Sequence, residues 1–140
     1  MVVNDKKTIS FEQFLTINSN LGHISDTWSD LWALIFYTGL SVGQLIALRY
    51  DDIGLNSLSF RERGRLKAIT LQLSSPLRAL LNRRRERYPG DVFVFQSHSN
   101  RVKNQVGPVT VIAFNAALRR AGKVLPLRTV SSRSARNVAV

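Results

Sequence analysis

Basic side chains recur at every second position of one short segment: Arg61, Arg63, Arg65 and Lys67. Cationic groups at this spacing can contact the phosphates of a nucleic-acid backbone, and they can also keep an exposed strand edge solvated. Gly64 lies among them, and two segments of strand-like composition, 58–60 and 66–73, surround it. The sequence therefore predicts a β-hairpin with a basic tip, and we expect that tip to contact DNA.

The whole chain is strongly basic. It holds 20 Lys and Arg residues against nine Asp and Glu residues in 140, which gives a formal net charge of +11. A small protein with this charge attracts polyanions through the release of counterions, so double-stranded DNA is the expected partner. Two further cations, Arg101 and Lys103, fall in a polar loop predicted for 96–105, and we expect phosphate contacts there as well.

Membrane, metal and cofactor chemistry find little support in the sequence. The basic residues are spread over several segments, no apolar run is long enough to span a bilayer, and residues 1–7 lack the apolar core of a signal peptide. A cytoplasmic protein without membrane contact is therefore expected. Because there is no cysteine and the imidazoles are His23 and His98, neither a metal nor another cofactor is expected, and His98 is predicted to be a surface residue.

The elements that must position these groups are mainly helical. Helical spacing and cap residues predict a short helix after Ser10, a central core helix over 26–38 that Gly39 stops, and a further helix over 43–48. Later helices are predicted from Ser75 to 88, from Thr110 to 122 and after 128, with a short extended run over 92–95. We expect one mainly helical α+β domain with a small antiparallel β-hairpin.

Two further groups of cations lie near predicted helix ends. Arg83, Arg84, Arg85 and Arg87 crowd the last turns of the helix that begins at Ser75, where positive charge stabilises the helix dipole. For Arg119, Arg120 and Lys123, the sequence leaves phosphate contact and the same structural role equally open.

Residues 36–53 carry the pattern that connects the chain to a known family. They contain Thr38-Gly39-Leu40-Ser41, then Gln44-Leu45, Leu48 and Asp52-Ile53. This order resembles the first motif of tyrosine recombinases, the phage integrase family, which has an arginine after Gly-Leu and a glutamate three residues later. In the family the arginine holds the scissile phosphate and the acid supports it. Ser41 and Gln44 stand at those positions and can neither grip phosphate bidentately nor form an ion pair, so we expect them to be surface polar residues at a helix start.

The resemblance extends to the hairpin. The segment 61–70 is similar to the family's hairpin, in which a lysine enters the DNA minor groove and donates a proton to the leaving oxygen. A gapless placement puts Glu62 at the lysine position, whereas a shift of register presents Arg61, Arg63 or Lys67. An arginine there is a poor proton donor because its pKa is so high.

The segment Leu125-Pro-Leu-Arg128 resembles the family's His-x-Leu-Arg box. Arg128 matches the second phosphate-binding arginine, so it is a residual catalytic-site position that we expect to contact DNA. Leu125 stands where the family has histidine. A structural ion pair of Arg128 with Asp51 or Asp52 is the alternative.

The resemblance implies a tyrosine-recombinase catalytic-domain-like fold over residues 1–140, without the family's N-terminal DNA-clamping domain and without the later segment that carries the nucleophilic tyrosine. Tyr37, Tyr50 and Tyr88 all precede Arg128, and none matches the nucleophile. The expected function is DNA binding connected with DNA integration and recombination, without catalysis by the chain alone. Two alternatives stay open: a site-specific recombinase for which a partner chain supplies the missing tyrosine in trans, and an interaction module that modulates an intact recombinase. An intact recombinase or a second copy of this chain is the further partner expected.

Overall fold

The computed structural model describes residues 8–62, 64–65, 67–98, 106–123 and 130–139. Contacts divide the chain into two compact units, which we call unit 1, Met1–Leu45 with Thr110–Val140, and unit 2, Ile46–Val109. The predicted class, a mainly helical α+β fold with a small antiparallel sheet, is confirmed. In the described part of the chain, no helix is both long and apolar enough to cross a membrane.

Unit 1 is built on three helices within the described residues: α1, Phe11–Ile24; α2, Asp26–Thr38; and α5, Val111–Gly122. The first begins at a capping box, because the Ser10 hydroxyl accepts from the Gln13 N–H at 3.0 Å while the Gln13 side chain accepts from the Ser10 N–H at 2.9 Å. The second ends at Gly39, whose φ of 69° lies in the left-handed region. The predicted starts and stops of these helices are confirmed, although α1 runs longer than expected.

The core of unit 1 lies where α1 packs against both α2 and α5. Its fully buried side chains include Ile17, Leu21, Trp32 and Phe114. The Trp32 indole N–H donates to the Phe14 carbonyl at 3.1 Å, so this large buried ring leaves no polar atom unpaired. Such packing stabilises unit 1 through the burial of apolar surface, at about 25 cal/mol per Å².

Two short strands close unit 1: β1, Ile9–Ser10, pairs in parallel with β4, Val138–Ala139. Before β4 lies a 3-10 turn, Ser132–Arg136, that packs against α2. The sequence predicted a helix after 128. Among the described residues the chain instead makes this one tight turn and then extends, because β4 takes its backbone partners from β1.

Unit 2 contains the predicted hairpin, with β2, Ser57–Phe60, antiparallel to β3, Ile69–Gln72. Leu58 lies opposite Leu71, and Phe60 lies opposite Ile69. The second strand begins later than predicted, so the basic segment belongs to the connecting loop. Helix α4, Ser75–Arg87, buries Leu77, Leu80 and Leu81.

The run predicted to be extended over 92–95 forms only one isolated bridge, Arg49 to Phe93. Val94 and Phe95 are fully buried, whereas Val92 is exposed. The helix predicted over 43–48 is α3, Val42–Ile46. From the first helix to residue 122, the predicted elements therefore occur in the predicted order, with shifts of a few residues at their ends.

Candidate nucleic-acid interface

The loop between β2 and β3 presents the predicted basic tip. Arg61, Arg65 and Lys67 lie in it with exposed side chains, and Gly64 turns the chain with a φ of 58°. Arg63 lies outside the described residues. Exposed cations have the access to solvent that contact with a phosphate backbone requires.

Arg61 differs from the other two cations because it has an acidic partner. Its Nε lies 3.4 Å from an Asp52 carboxylate oxygen, and the other Asp52 oxygen accepts from the Arg49 N–H at 3.1 Å. The Arg61 side chain is 77% exposed, so water screens this pair and it contributes little to stability. Arg65 and Lys67 therefore carry the more available charge of the loop.

The motif segment folds into a tight local network. After the stop at Gly39, the Ser41 hydroxyl and the Ser41 N–H both donate to the Gln44 side-chain oxygen, at 3.0 and 3.1 Å. The Gln44 N–H lies 3.4 Å from the Ser41 hydroxyl oxygen, which completes a reciprocal cap on α3. Both residues are half-buried, and their expected role at a helix start is confirmed.

A second group of cations borders the same segment of unit 1. Arg133, Arg136 and Asn137 line a cavity of about 450 Å³ together with Gly39. The Arg136 Nε donates to the Gly39 carbonyl at 2.7 Å. Sequence reasoning missed this group, because Arg133 and Arg136 meet Gly39 only through tertiary folding; their spacing of three residues was the available signal.

Arg84 has a structural role other than the one predicted. It is 1% exposed, and its Nε donates to the Val94 carbonyl at 2.8 Å. Its guanidinium also lies 5.2 Å from the centres of the Tyr88 and Phe95 rings. The sequence predicts that Arg84 stabilises the helix dipole from the last turn of α4. The structure shows more than this, because Arg84 is buried on the apolar face of α4 beside the leucines.

Tyr50 lies next to this buried arginine in unit 2. The Arg85 guanidinium stacks 4.6 Å from the centre of its ring, and its hydroxyl oxygen is buried with no hydrogen bond of good geometry. Burial raises the pKa of Tyr50, although the positive charge of Arg84 opposes that rise.

His98 is at the surface, as predicted, but it has partners. Its Nε2 lies 2.8 Å from an Asp91 carboxylate oxygen, and its ring stacks on Tyr88 with 4.6 Å between ring centres. Asp91 also accepts from the Gln96 side chain at 3.1 Å. This cluster ties a loop together and brings no third metal-binding side chain, and no group of three or more such side chains occurs elsewhere among the residues described.

Several predicted site residues have no structural description. Arg101 and Lys103 of the polar loop, Arg128 of the box and Leu125 all lie outside the described residues. Their roles stay predictions. Asp52, which was one alternative partner for Arg128, is engaged by Arg61.

With this geometry in place, solved structures show what the fold is. The lambda integrase catalytic core superimposes with a TM-score of 0.74 and 17% identity, over 92% of this chain and 78% of that chain. The fold is that of a tyrosine recombinase catalytic domain. No protein-family model matches the sequence, and no curated protein is detectably similar to it.

Two DNA complexes share this tyrosine recombinase fold. A lambda integrase tetramer bound to a Holliday junction gives a TM-score of 0.74 at 16% identity, covering 92% of this chain and 40% of that chain. The XerH site-specific recombinase bound to difH substrate, in a pre-cleavage complex, gives 0.64 at 17% identity, covering 94% and 41%. The chain thus spans about two fifths of each recombinase in these complexes, and at this identity the likeness establishes the fold.

Proposed function

We propose that this chain is a DNA-binding protein of the tyrosine recombinase and integrase kind, connected with DNA integration and recombination, and that it does not cleave DNA by itself. The observation that carries the proposal is the exposed basic loop on the hairpin of a recombinase-like fold. The net charge of +11 supports the same partner, because cations that neutralise phosphates release counterions.

The proposed lack of catalysis rests on the motif segment. Ser41 and Gln44 stand where the resemblance implies an arginine and a glutamate, and they satisfy each other's hydrogen bonds. Neither side chain carries a charge that could stabilise the transition state of phosphoryl transfer. In the alignment without gaps, Glu62 stands at the position of the family's proton-donating lysine and Leu125 at that of its histidine. Of the catalytic residues that the resemblance implies, this pseudoenzyme therefore retains only Arg128.

The proposal includes a setting and partners. We place the protein in the cytoplasm as a product of a mobile genetic element, with double-stranded DNA as its ligand. The further partner is an intact recombinase, which both alternatives require, or a second copy of this chain. The basic character of the chain is compatible with each of these partners, and the experiments below separate them.

Fluorescence anisotropy of a labelled duplex oligonucleotide, titrated with the protein across a salt series, tests DNA binding. We expect the logarithm of the binding constant to fall linearly with the logarithm of salt concentration, with a slope of about −0.9 for each phosphate neutralised. Absence of binding at low salt would contradict the proposal and favour an interaction module that acts on an intact recombinase. Co-purification with such a recombinase in the absence of DNA is the matching observation.

Two further measurements refine the proposal. Arg128→Ala should weaken duplex binding and reduce the salt slope by about one, which tests the predicted phosphate contact. Nicked duplex DNA traps covalent protein–DNA adducts, and we expect no adduct when it is incubated with this chain alone. A partner recombinase that keeps its tyrosine but lacks its own phosphate-binding arginines should be tested beside it. An adduct on the partner's tyrosine that forms only when this chain is present would establish completion in trans instead.

A further inference from the structure

A cavity in unit 1 is bordered by Gly39 and the 3-10 turn. Its volume of about 450 Å³ falls within the range of about 300–1,000 Å³ that is usual for small-molecule sites. Gly39 opens it further, since nothing lies within 4 Å of the place where a Cβ would stand. Among the described residues, no side chain therefore covers Gly39 on the side where its Cβ would stand.

The 3-10 turn places two cations on one side of the cavity. Side chains three residues apart eclipse each other in a 3-10 turn, so Arg133 and Arg136 project in the same direction from Ser132–Arg136. Both line the cavity and both are exposed to solvent at its mouth. Two guanidinium groups side by side repel each other, and an anion between them removes that repulsion.

The donors of this group are only partly used. Arg136 donates through Nε to the Gly39 carbonyl, which orients its guanidinium and leaves the two terminal amino groups for another acceptor. Arg133 makes no hydrogen bond or ion pair of its guanidinium with any described residue. Asn137 donates one N–H to the Arg133 carbonyl at 3.1 Å.

Charge balance decides the class of ligand. Among the described residues, no carboxylate lines the cavity and none pairs with either arginine. The planar fork of an arginine matches two oxygens of a phosphate, and its positive charge strengthens both hydrogen bonds. We infer that Arg133, Arg136 and Asn137 form a phosphate-binding site around Gly39.

The resemblance gives no role to Arg133, Arg136 or Asn137. The positions to which it gives one are Ser41, Gln44, Leu125 and Arg128, together with Glu62 or, in a shifted register, Arg61, Arg63 or Lys67. The phosphate has two possible sources, a phosphodiester of duplex DNA or free phosphate, which share the same oxygens. The assignment to DNA rests on the proposed function, whereas the phosphate site itself does not.

Amide chemical shifts of Gly39 and Asn137 report on the site directly. The isotopically labelled protein is titrated at fixed pH with inorganic phosphate, with sodium chloride at equal ionic strength as the reference, and in a second arm with a duplex oligonucleotide. We expect phosphate, but not chloride, to shift both amides. Arg133→Gln should weaken this response about tenfold, since it removes a charged hydrogen-bond partner.

Two additional variants make the test specific. Arg133→Gln combined with Arg136→Gln should abolish the response. If loss of the Arg136–Gly39 hydrogen bond disturbs folding, Arg133→Gln alone tests the site. Arg119→Gln combined with Arg120→Gln removes the same charge from exposed positions on α5 and should leave the phosphate response of Gly39 and Asn137 unchanged. An equal loss in this control would mean general electrostatic attraction and would overturn the site.

The two arms separate the site from the proposed function. A response to phosphate without any duplex binding keeps the site, assigns it to free phosphate and contradicts DNA binding. Duplex binding that leaves both amides unshifted and is indifferent to Arg133→Gln overturns the site while DNA binding stands. A duplex response at both amides that Arg133→Gln removes supports a phosphodiester ligand, with or without a response to inorganic phosphate.

Discussion

The Ser41 hydroxyl donates a hydrogen bond to the side-chain oxygen of Gln44 across 3.0 Å. The two positions that resemble the arginine and glutamate of a recombinase motif therefore interact with each other, at the start of α3. The backbone N–H of each also has a partner in the side chain of the other. The pair forms a local cap at the start of α3.

Ser41→Ala should lower the free energy of unfolding by about 1 kcal/mol, as usual for loss of an N-cap hydroxyl. Urea denaturation followed by circular dichroism measures it. Ser19→Ala, on the exposed face of α1, is the matched control and should be neutral or slightly stabilising, because alanine is the better helix former. Equal effects of the two substitutions would show that the Ser41–Gln44 contact is not stabilising.

Gly39 and Gly43 should respond to alanine with opposite signs. Gly39 has a φ of 69°, so Gly39→Ala is expected to cost about 1–2 kcal/mol through backbone strain. Gly43 lies inside α3 with no positive φ and no atom near an added Cβ, so Gly43→Ala should stabilise by about 0.5–1 kcal/mol. Thermal or urea unfolding of the pair compares them, and a destabilised Gly43→Ala would contradict the helical placement.

Arg84 should be far more sensitive than its exposed neighbour on α4. Arg84→Met leaves the Val94 carbonyl without its buried partner, which we expect to cost about 1–3 kcal/mol. Arg83→Met removes the same charge from an exposed position and should change the free energy of unfolding by less than about 1 kcal/mol. If both variants unfold at the same urea concentration, the burial of Arg84 is wrong.

Tyr50 should make stability depend on alkaline pH. Burial raises the pKa of Tyr50 above its ordinary value; Arg84 and Arg85 oppose the rise and Asp91 adds to it. The folded state then holds the phenolic proton more tightly than the unfolded state, whose tyrosine pKa is about 10. This contribution is complete below about pH 10 and is lost as the pH rises toward the folded pKa.

Tyr50→Phe keeps the ring against Arg85 but removes the ionisable group. Its free energy of unfolding relative to the original protein should therefore rise between about pH 9 and pH 11, because only the original loses the contribution of Tyr50. Urea unfolding at a series of pH values gives this difference directly. A difference that stays constant across the series would argue against the buried position of the hydroxyl.

The hairpin loop should dominate duplex binding among the described residues of unit 2. Arg65→Gln combined with Lys67→Gln is expected to reduce the slope of binding against salt by about two, one for each phosphate contact. Arg61→Gln should have a smaller effect, because Asp52 already neutralises part of its charge. Arg83→Gln combined with Arg87→Gln removes equal charge from α4, and an equal loss of slope there would mean that the loop has no special role.

The sequence predicts the helices of unit 1 well because their signals are local. The capping box of Ser10 and Gln13 and the left-handed stop at Gly39 each act over a few residues, so they can be recognised without a fold. The burial of Arg84 could also have been predicted from the sequence. It lies three and four residues after Leu81 and Leu80, on the apolar face of α4, and that spacing marks a buried position even for an arginine.

Tertiary relationships could not be predicted in this way. The strands β1 and β4 have two residues each and lie at opposite ends of the sequence, so no periodic pattern predicts their pairing. The same applies to Arg136 and Gly39, whose contact joins residues 97 positions apart. Resemblance to a family supplied the fold where periodicity alone did not, and the solved structures confirm that fold.

Unit 1 is discontinuous in sequence, and this imposes an order on its synthesis. Asn20 of α1 donates to the Ala121 carbonyl of α5 at 2.9 Å, so its first helices need a segment that the ribosome makes only after all of unit 2. Until then the apolar faces around Ile17 and Leu21 have no α5 to cover them. The nascent chain is accordingly most prone to aggregation while residues 46–109 are being translated, and a pause there would prolong that exposure.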